Sequence, residues 1–397
     1  MRGRGRPLGV YTYSILGVCS SWGVNGECAN LTPVDATLWL CIQVNSYTPT
    51  PCRVIFSKDH DMANKGKVLV TGATGFVALH CIAELLKNGY EVVGTLRTKS
   101  REKEVKNGIE KVVSSKKLNF VETDLMHDSG WEEGMTGCKY VMHVAMPFMI
   151  AEPKDPNEIF QPTVEGTKRV LGFAKKAGVK RVVLSSSAYT VAQHNYSGTY
   201  DHDDWTDHRN KNINTYVRAK TLQELAAWEF ISSQKGKTKL ELTSLLLGAI
   251  FGPALTAAGQ TRYLCKQLIE GKQPMVPDLD VPLVDARDSA LAHLKAMETR
   301  EASGKRLIIA NPDVGIASFG SICRVLRENG FDKAPKIKAP IFLVKLMGLF
   351  DGEARGMVHF LGKKLKWDSS LTKKTLKWEP TIPMEKMIID MANSIDS

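Results

Sequence analysis

The sequence predicts an α/β fold: a doubly wound parallel sheet covered by helices on both faces, followed by a smaller C-terminal lobe. Between residues 66 and 250, short apolar runs alternate with longer runs that are apolar at helical spacing. This alternation is typical of βαβ units, in which a helix links two parallel strands. A glycine-rich stretch directly follows the first apolar run, where a strand is expected to turn into a helix. After about residue 250 the spacing becomes irregular and proline-rich, which favours a second lobe.

Six strands and four helices are predicted before that point. The strands are apolar runs bounded by glycine or polar residues, and they span residues 67–70, 91–96, 119–122, 140–144, 181–185 and 241–247. The helices are amphipathic runs, and they span residues 76–88, 103–113, 159–177 and 215–232. Gly89 and Gly178 follow the first and third helices, where glycine favours termination.

The composition argues against several classes of protein. With 397 residues and 43% apolar side chains, the chain can bury one large core or two modest ones. The formal charge of +11 is not concentrated in a basic block with interleaved aromatic residues, so we expect no nucleic-acid partner. No uninterrupted run of about 18 apolar residues is present, so we expect no membrane-spanning helix. The predicted location is cytoplasmic.

The cysteines do not form a disulfide pattern, although the chain has eight of them. Four lie within residues 1–61, and the other four are scattered without a Cys-x-x-Cys pair, at Cys81, Cys138, Cys265 and Cys323. Such spacing is typical of reduced, mostly buried thiols in an intracellular protein. The histidines also lack metal-ligand spacing, and we expect no metal site.

Residues 1–61 differ in composition from the rest of the chain. They are rich in Gly, Ser, Thr, Pro and Cys and show neither helical nor strand periodicity, whereas the first predicted strand follows soon after Met62. We interpret residues 1–61 as an extension outside the functional protein, with Met62 as the functional start. The alternative is a targeting leader, because Arg2, Arg4 and Arg6 precede a mildly apolar run.

The turn between the first strand and the first helix has the residues of a dinucleotide site. It follows the pattern Gly-x-x-Gly-x-x-Ala, in which Gly72 and Gly75 let the backbone approach a pyrophosphate and Ala78 lets the helix pack closely on the sheet. The helix N-terminus offers unpaired N–H groups and a positive dipole end. A tight βα loop without a ligand is the alternative. The residues expected to bind the cofactor here are Gly72, Thr74, Gly75, Phe76 and Val77.

The end of the second strand predicts NADP(H) as the cofactor. An NAD site places Asp or Glu there for the ribose 2′-hydroxyl, but this strand ends in Arg97. A guanidinium suits a 2′-phosphate because its planar fork can bond two oxygens. The alternative is a solvated basic helix start. Further predicted cofactor contacts are Arg101, Asp124 and Leu125 near the adenosine, and Val144 and Ala145 near the ribose. Residues 62–250 are therefore predicted to form a Rossmann-type NADP-binding domain.

A second group of residues predicts carbonyl chemistry. Tyr216 and Lys220 are one helical turn apart and share a helix face. A neighbouring ammonium lowers the pKa of a tyrosine, which makes the phenol a better proton shuttle at neutral pH. Ser187 ends a run of three serines at the fifth strand, where a hydroxyl can hold a carbonyl oxygen. The spacing alone would favour an ordinary surface pair, but the serine run at a strand edge favours catalysis.

These motifs resemble the extended short-chain dehydrogenase/reductase superfamily, in particular its dihydroflavonol reductase-like branch, which includes aldehyde and methylglyoxal reductases. The resemblance covers about residues 66–397 and is carried by segments 70–76, 143–145, 186–188, 204–205, 216–228, 284–288 and 376–380. It implies that Tyr216 is the acid, Lys220 its modulator, Ser187 the partner of the carbonyl oxygen and Arg97 the ligand of the NADP phosphate. It also implies that Tyr216 and Lys220 contact the cofactor.

Two departures from the superfamily bear on function. Its fourth catalytic residue, an asparagine, has no counterpart around residues 162–166, as is common in this branch. The cinnamoyl-CoA reductase signature is also absent, which argues against a CoA thioester substrate.

The sequence therefore predicts NADPH-dependent reduction of an aldehyde, ketone or 2-oxoaldehyde to the alcohol. Substrate contacts are expected near residues 146–149, residues 247–255 and Tyr263, and residues 251–397 form mainly a substrate-binding lobe interleaved with the Rossmann domain. One alternative is a sugar-nucleotide epimerase or a hydroxysteroid dehydrogenase on the same fold, which Arg97 disfavours. Another is a non-catalytic NADPH-binding redox sensor, which the intact Ser-Tyr-Lys set disfavours. The expected state is a monomer or homodimer.

Overall fold

The computed structural model describes residues 65–147, 151–192, 197–236, 238–310 and 316–395. The extension at residues 1–61 and the start at Met62 lie outside the described residues. The same holds for residues 148–149 of the predicted substrate site.

The strands within the described residues are short, apart from those at the centre of the sheet. They are β1 (Lys67–Val70), β2 (Glu91–Leu96), β3 (Leu118–Glu122), β4 (Cys138–His143), β5 (Arg181–Ser187), β6 (Gly198–Tyr200), β7 (Glu241–Leu247), β8 (Ala249–Phe251), β9 (Met275–Pro277), β10 (Asp280–Asp285), β11 (Arg306–Ile309), β12 (Ile316–Ser318), β13 (Ile337–Ala339) and β14 (Leu365–Trp367).

The helices alternate with these strands through most of the chain. They are α1 (Phe76–Lys87), α2 (Glu102–Glu110), α3 (Trp131–Met135), α4 (Asn157–Lys176), α5 (Thr215–Ser232), α6 (Gln260–Ile269), α7 (Ala286–Glu298), α8 (Phe319–Glu328), α9 (Ile341–Met347), α10 (Gly352–Val358), α11 (Ser370–Leu376) and α12 (Met384–Asn393). None of the described helices is long and apolar enough to cross a membrane.

Seven parallel strands form the main sheet, in the order β11-β7-β5-β4-β1-β2-β3. The first strand, β1, lies inside the sheet. Strands β2 and β3 follow it to one edge, and β4, β5, β7 and β11 form the other half of the sheet on the opposite side of β1. The direction therefore reverses between β1 and β4. Loops at the carboxyl ends of two such strands leave in opposite directions and open a crevice for a ligand. This topology confirms the predicted Rossmann-type fold and places a binding groove at that reversal.

Each predicted strand and helix up to residue 247 is present, with ends shifted by a few residues. Strand β5 continues to Ser187 rather than ending at residue 185, so the whole serine run belongs to the strand. Helix α2 ends at Glu110, three residues before its predicted end. Strand β11 lies in the part of the chain that the sequence placed mainly in the C-terminal lobe, yet it pairs with β7 in the main sheet.

Helices cover both faces of the main sheet. On one face, α1, α2 and α7 contribute to a single apolar cluster, and on the other face α3, α4 and α5 do the same. Along β1, Val68 and Val70 belong to the first cluster and Leu69 to the second, as expected for alternating side chains. Burial on both faces explains why these strands are continuous apolar runs in the sequence.

A smaller sheet lies in the C-terminal part of the chain. Strands β12, β10 and β8 pair in that order, and helices α6, α8 and α12 contribute to the apolar cluster around them. The four described cysteines are buried free thiols, as the sequence predicted: Cys81, Cys138, Cys265 and Cys323.

Candidate functional site

Two adjoining cavities lie beside the carboxyl ends of the central strands. The β2–β3 cavity has a volume of about 750 Å³ and is lined by the ends of β2 and β3. The tyrosine cavity has a volume of about 570 Å³ and is named for Tyr216, which is among its lining residues. Because Thr74, Arg97, Arg101 and Met146 line both cavities, the two form one continuous groove.

The residues predicted to bind the cofactor all line this groove. Gly72, Asp124, Leu125 and Ala145 line the β2–β3 cavity. Gly75, Phe76, Val77, Val144, Tyr216 and Lys220 line the tyrosine cavity, and Thr74, Arg97 and Arg101 line both. The fold thus brings the ends of β1, β2, β3, β4 and α5 to one place, as a single extended ligand would require.

The turn after β1 is held so close to β4 that it requires glycine. Gly72 has a φ of +69°, and a Cβ there would lie 3.0 Å from the Cβ of Ala145. The Gly72 N–H donates to Thr95 Oγ1 at 3.0 Å, and the Ala73 N–H donates to the Thr95 carbonyl at 2.9 Å. The Gly75 N–H donates to the Gly72 carbonyl at 2.8 Å. These hydrogen bonds fix the backbone of residues 72–75, and the two glycines leave it accessible to a pyrophosphate.

The N-terminus of α1 provides an anion site next to this turn. Its cap residue, Gly75, has no capping side chain, and the first turn has no acidic residue. The first N–H groups of a helix have no intrahelical acceptor, and the helix dipole adds partial positive charge there. Since Phe76 and Val77 line the tyrosine cavity, these groups lie where a phosphate would enter.

The two arginines after β2 differ in their partners. Arg101 is held by Glu104, with Nε donating to Oε2 at 2.7 Å and Nη2 donating to Oε1 at 2.8 Å. That hydrogen bond raises the pKa of Arg101. Arg97 is exposed, and within the described part of the chain it makes no hydrogen bond or ion pair. Arg97 is therefore better placed than Arg101 to bind a phosphate.

Ser187 and Tyr216 are hydrogen-bonded between the end of β5 and the start of α5. Tyr216 lines the tyrosine cavity, as do Ser185 and Ser186, whereas Ser187 is not among its lining residues. Ser187 is the last residue of β5, and Tyr216 lies in the first turn of α5, which Asn214 caps by accepting a hydrogen bond from the Val217 N–H at 2.9 Å. The sequence predicted that Lys220 lowers the pKa of Tyr216, but here burial raises that pKa, and the opposing effect is a hydrogen bond with the Ser187 side chain. Ser187 Oγ also accepts from the Tyr189 N–H at 3.3 Å, which fixes the hydroxyl at the strand end.

The other two serines of the run have different partners. Ser185 Oγ is hydrogen-bonded to His293 Nε2 at 2.8 Å, and Ser186 Oγ donates to Glu224 Oε2 at 2.8 Å. Of the three serines, Ser187 is the one that the fold brings to Tyr216.

Lys220 lies one turn after Tyr216 and is buried. Its ammonium donates to the Ser185 carbonyl at 2.7 Å and to Gln223 Oε1 at 3.0 Å. Burial lowers the pKa of Lys220 to about 7, although the negative charge of Glu224 acts in the opposite direction. A lysine in this position can change its charge near neutral pH.

A buried ion pair lies next to β5, and the sequence did not reveal it. Glu224 accepts from Arg306 Nε at 2.8 Å, and the Arg306 guanidinium lies 3.5 Å from the centre of the Trp205 ring. Burial raises the pKa of Glu224, but Arg306 and the hydrogen bonds outweigh it, so the net pKa is lowered and the carboxylate is charged. The available signal was the helical spacing, because Tyr216, Lys220 and Glu224 follow one another at intervals of four residues on α5.

The predicted substrate segments lie partly at the groove. Met146 lines both cavities, and Leu247, Ala249 and Ile250 line the tyrosine cavity. Tyr263 is exposed on α6 and is not among the residues that line either cavity.

A cluster of possible metal ligands lies outside both cavities. The ligand atoms of Asp201, His202 and Asp203 fall within 4.8 Å of one another at a partly exposed position. Exposed acidic groups often cluster in this way without a metal.

The groove as a whole suits a dinucleotide. Near the end of β2 lies the Arg97 guanidinium, which has no partner among the described residues; glycine-rich backbone and the N-terminus of α1 follow, and Tyr216 and Lys220 line the tyrosine cavity. This order of groups matches an extended ligand with phosphates along its length and a reacting ring at one end.

Comparison with known proteins identifies the family of this chain. Residues 68–310 match the model of the NAD dependent epimerase/dehydratase family. The chain is 34% identical over 312 residues to a dihydroflavonol 4-reductase of Hordeum vulgare, with 76% of this chain and 83% of that protein covered. It is 30% identical over 271 residues to the NADPH-dependent methylglyoxal reductase GRE2 of Saccharomyces cerevisiae, covering 61% of this chain and 77% of that protein. A crystal structure of the yeast methylglyoxal/isovaleraldehyde reductase Gre2 with NADPH superposes with a TM-score of 0.69 at 25% identity, covering 83% of this chain and 98% of that one.

Proposed function

The chain belongs to the NAD dependent epimerase/dehydratase family, and we propose that it is an NADPH-dependent carbonyl reductase acting on an aldehyde, ketone or 2-oxoaldehyde. The observation that carries this proposal is the hydrogen bond between Ser187 and Tyr216, because Tyr216 lines a groove that Arg97 also lines. The similarity to named reductases, one of them crystallised with NADPH, makes the chain an NADP-dependent oxidoreductase.

In this proposal NADPH lies along the groove. Thr74, Phe76 and Val77 hold the pyrophosphate through backbone N–H groups, Gly72 and Gly75 let the backbone approach it closely, and Arg97 binds the 2′-phosphate. The remaining cofactor contacts are Arg101, Asp124 and Leu125 on the adenosine side, and Val144, Ala145, Tyr216 and Lys220 on the nicotinamide side. When bound, the cofactor supplies a hydride, which is two electrons and one hydrogen nucleus.

Tyr216 is the general acid of the proposed reaction. As a new C–H bond forms at the carbonyl carbon, the phenol gives its proton to the oxygen, so the C=O π bond is replaced by one C–H and one O–H bond and the products are an alcohol and NADP⁺. Burial raises the pKa of Tyr216 and so keeps the phenol protonated at neutral pH, as an acid must be. The Ser187 hydroxyl holds the carbonyl oxygen while charge develops on it.

Lys220 supports this acid electrostatically. Its ammonium stabilises the phenolate that proton transfer leaves behind. With a pKa lowered to about 7, the same ammonium can return a proton to the phenolate at neutral pH.

The lining of the tyrosine cavity favours apolar substrates of small or medium size. Beside the catalytic residues, its wall includes Phe76, Leu247, Ala249, Ile250 and Ala258. The volume of about 570 Å³ also has to hold the nicotinamide end of the cofactor, which leaves room for a compact carbonyl compound.

The proposal is tested by NADPH consumption with the purified full chain. The panel contains methylglyoxal, aliphatic and aromatic aldehydes, diketones, dihydroflavonols and ketosteroids, and each is assayed with Tyr216→Phe alongside the unchanged protein. Loss of the acid is expected to reduce kcat by about 10²–10⁴-fold. Tyr263→Phe removes an exposed phenol outside the groove and is the matched control, for which no change is expected.

Three results would contradict the proposal. Turnover that persists in Tyr216→Phe would remove the tyrosine from its role as the acid. NADPH binding without turnover on any carbonyl would favour a redox sensor. Tightly retained NAD in the purified protein would favour an epimerase.

A further inference from the structure

A chain of buried polar side chains connects Lys220 on α5 to the turn after β1. Lys220 Nζ donates to Gln223 Oε1 at 3.0 Å, and Gln223 Nε2 donates to Thr167 Oγ1 at 2.9 Å. His143 Nε2 lies 2.9 Å from the same threonine oxygen, and its Nδ1 lies 3.0 Å from Thr71 Oγ1. All five side chains are buried. This series of hydrogen bonds therefore joins α5, α4, β4 and the glycine-rich turn through the core.

The partners of Thr71 fix the tautomer of His143. Thr71 Oγ1 accepts from the N–H groups of Val144 and Ala145, both at 2.9 Å, so both of its lone pairs are used. Its own proton must therefore go to His143 Nδ1, which leaves the histidine hydrogen on Nε2. Burial lowers the pKa of His143 to about 3, with Lys220 contributing, which agrees with a neutral ring.

The partners of Thr167 fix the orientation of Gln223 in the same way. Thr167 Oγ1 donates to the Thr163 carbonyl at 2.7 Å, so it can only accept from His143 Nε2 and Gln223 Nε2. The amide nitrogen of Gln223 must face Thr167, and its oxygen must face Lys220. A reversed amide would place an N–H group against the ammonium.

The same contacts fix the direction of the ammonium. Lys220 Nζ has three N–H groups, and two of them go to the Ser185 carbonyl and to Gln223 Oε1. Within the described residues no third hydrogen bond is made, and Lys220 lines the tyrosine cavity. The remaining N–H group is the one available to a ligand there.

We propose that Gln223 is a positioning residue for Lys220. It holds the ammonium toward the tyrosine cavity and links it to the glycine-rich turn after β1 through Thr167 and His143. This inference rests on the proposed function, because it assigns a task to a neighbour of the proposed acid. Gln223 supplies a direct protein acceptor for the lysine in a chain that lacks the superfamily asparagine around residues 162–166.

Among the described residues, the titratable groups near Lys220 are Glu224, His143 and Tyr216, and Gln223 acts in addition to them. Glu224 raises the pKa of Lys220 by its negative charge, His143 is neutral, and Tyr216 lies one turn away on the same helix. The Gln223 oxygen bonds the charged ammonium more strongly than the neutral amine. Loss of that oxygen therefore lowers the pKa of Lys220, and a carboxylate in its place raises it.

The first readout is the pH dependence of kcat with saturating NADPH. A hydrogen bond to a charged group corresponds to about one to two pKa units. The alkaline limb of the profile is therefore expected to move down by about one pH unit in Gln223→Leu and up by about one in Gln223→Glu. A purely structural role of Gln223 would not produce shifts of opposite sign.

The second readout needs no turnover. The Lys220 signal in a full-length protein labelled with ¹³Cε-lysine, assigned by its loss in Lys220→Met, is titrated by NMR without cofactor. The midpoint is expected to shift in the same two directions. If the protein reduces no carbonyl but these midpoints shift, the proposed function fails and the task of Gln223 stands.

The matched control is Gln234→Leu. Gln234 is also buried and bonded on both sides, accepting from the Leu240 N–H at 2.9 Å and donating to its carbonyl at 3.0 Å, but it does not contact Lys220. It is expected to lose stability without a shift in either readout. If Gln223→Leu does not fold, Gln223→Met replaces it. Unchanged midpoints, or shifts of the same sign in the Leu and Glu variants, overturn the proposal.

Discussion

Replacing Arg97 by alanine tests the proposed cofactor preference. The guanidinium is exposed, lies directly after β2 and, among the described residues, has no partner to release before it binds a ligand. Hydrogen bonds to a charged group contribute about 1.5–3 kcal/mol, but exposed pairs contribute only about 0.2–1 kcal/mol. An intermediate value of about 1–2 kcal/mol is reasonable for a phosphate at the edge of the groove. Arg97→Ala should therefore raise the Kd for NADPH by about 5- to 30-fold.

The assay is a fluorescence titration of the purified protein with NADPH and, separately, with NADH. NADH lacks the 2′-phosphate, so its Kd should change by less than about twofold. Arg101→Ala is the matched control, because Arg101 lines the same groove but is held by Glu104 through two hydrogen bonds. Its effect on NADPH should be smaller than that of Arg97→Ala. Added salt should reduce the advantage of NADPH over NADH in the unchanged protein, because exposed charges are screened.

Two results would refute this reasoning. If Arg97→Ala weakens NADPH and NADH equally, the arginine does not recognise the 2′-phosphate. If Arg101→Ala has the larger effect on NADPH, the arginine bound to Glu104 would be the phosphate ligand, and an existing ion pair would not prevent phosphate binding.

Two further predictions concern the turn after β1 and the buried histidines. Gly72→Ala should weaken NADPH binding and lower the free energy of unfolding by about 1–2 kcal/mol, because a positive φ is costly with a side chain; cofactor titration and urea unfolding measure both. Burial lowers the pKa of His80 and His293 to about 4 and that of His143 to about 3. In the unfolded chain each histidine takes up its proton at a higher pH than in the folded protein. The free energy of unfolding should therefore fall as the pH drops from about 6.5 toward 4, by about 1.4 kcal/mol per pH unit for each histidine. Urea unfolding of His143→Gln across this range should show a shallower slope, and the exposed His127→Gln should not.

Much of the fold could be predicted because its strands are buried on both faces. Strand β1 is apolar and fully buried from Val68 to Val70, and Gly89 and Gly178 mark helix ends in the sequence. Strand β11 could not be predicted in the same way. It has only four residues and begins with the charged Arg306. Its partner in the sheet is β7, which lies some sixty residues earlier in the chain.

The parts of the candidate site that could be predicted are those that a short sequence pattern identifies. The glycine-rich turn, Arg97 at a strand end and the pair Tyr216 and Lys220 are each local patterns, and the fold brings them to one groove. Gln223 was not predictable, because a glutamine on a helix is ordinary until its two partners are known.

The end of β5 is also held in place by residues that are distant in sequence. Glu224 accepts hydrogen bonds from Ser186 at 2.8 Å and from Thr190 at 2.9 Å, on the two sides of Ser187, and its charge is balanced by Arg306. Without that arginine a buried carboxylate would be unpaired, which typically costs about 3–5 kcal/mol. Because Arg306 begins β11, the strand that the sequence did not reveal supplies the charge that lets Glu224 hold Ser186 and Thr190 on the two sides of Ser187. The position of the proposed carbonyl partner therefore depends on a contact between residues 82 positions apart.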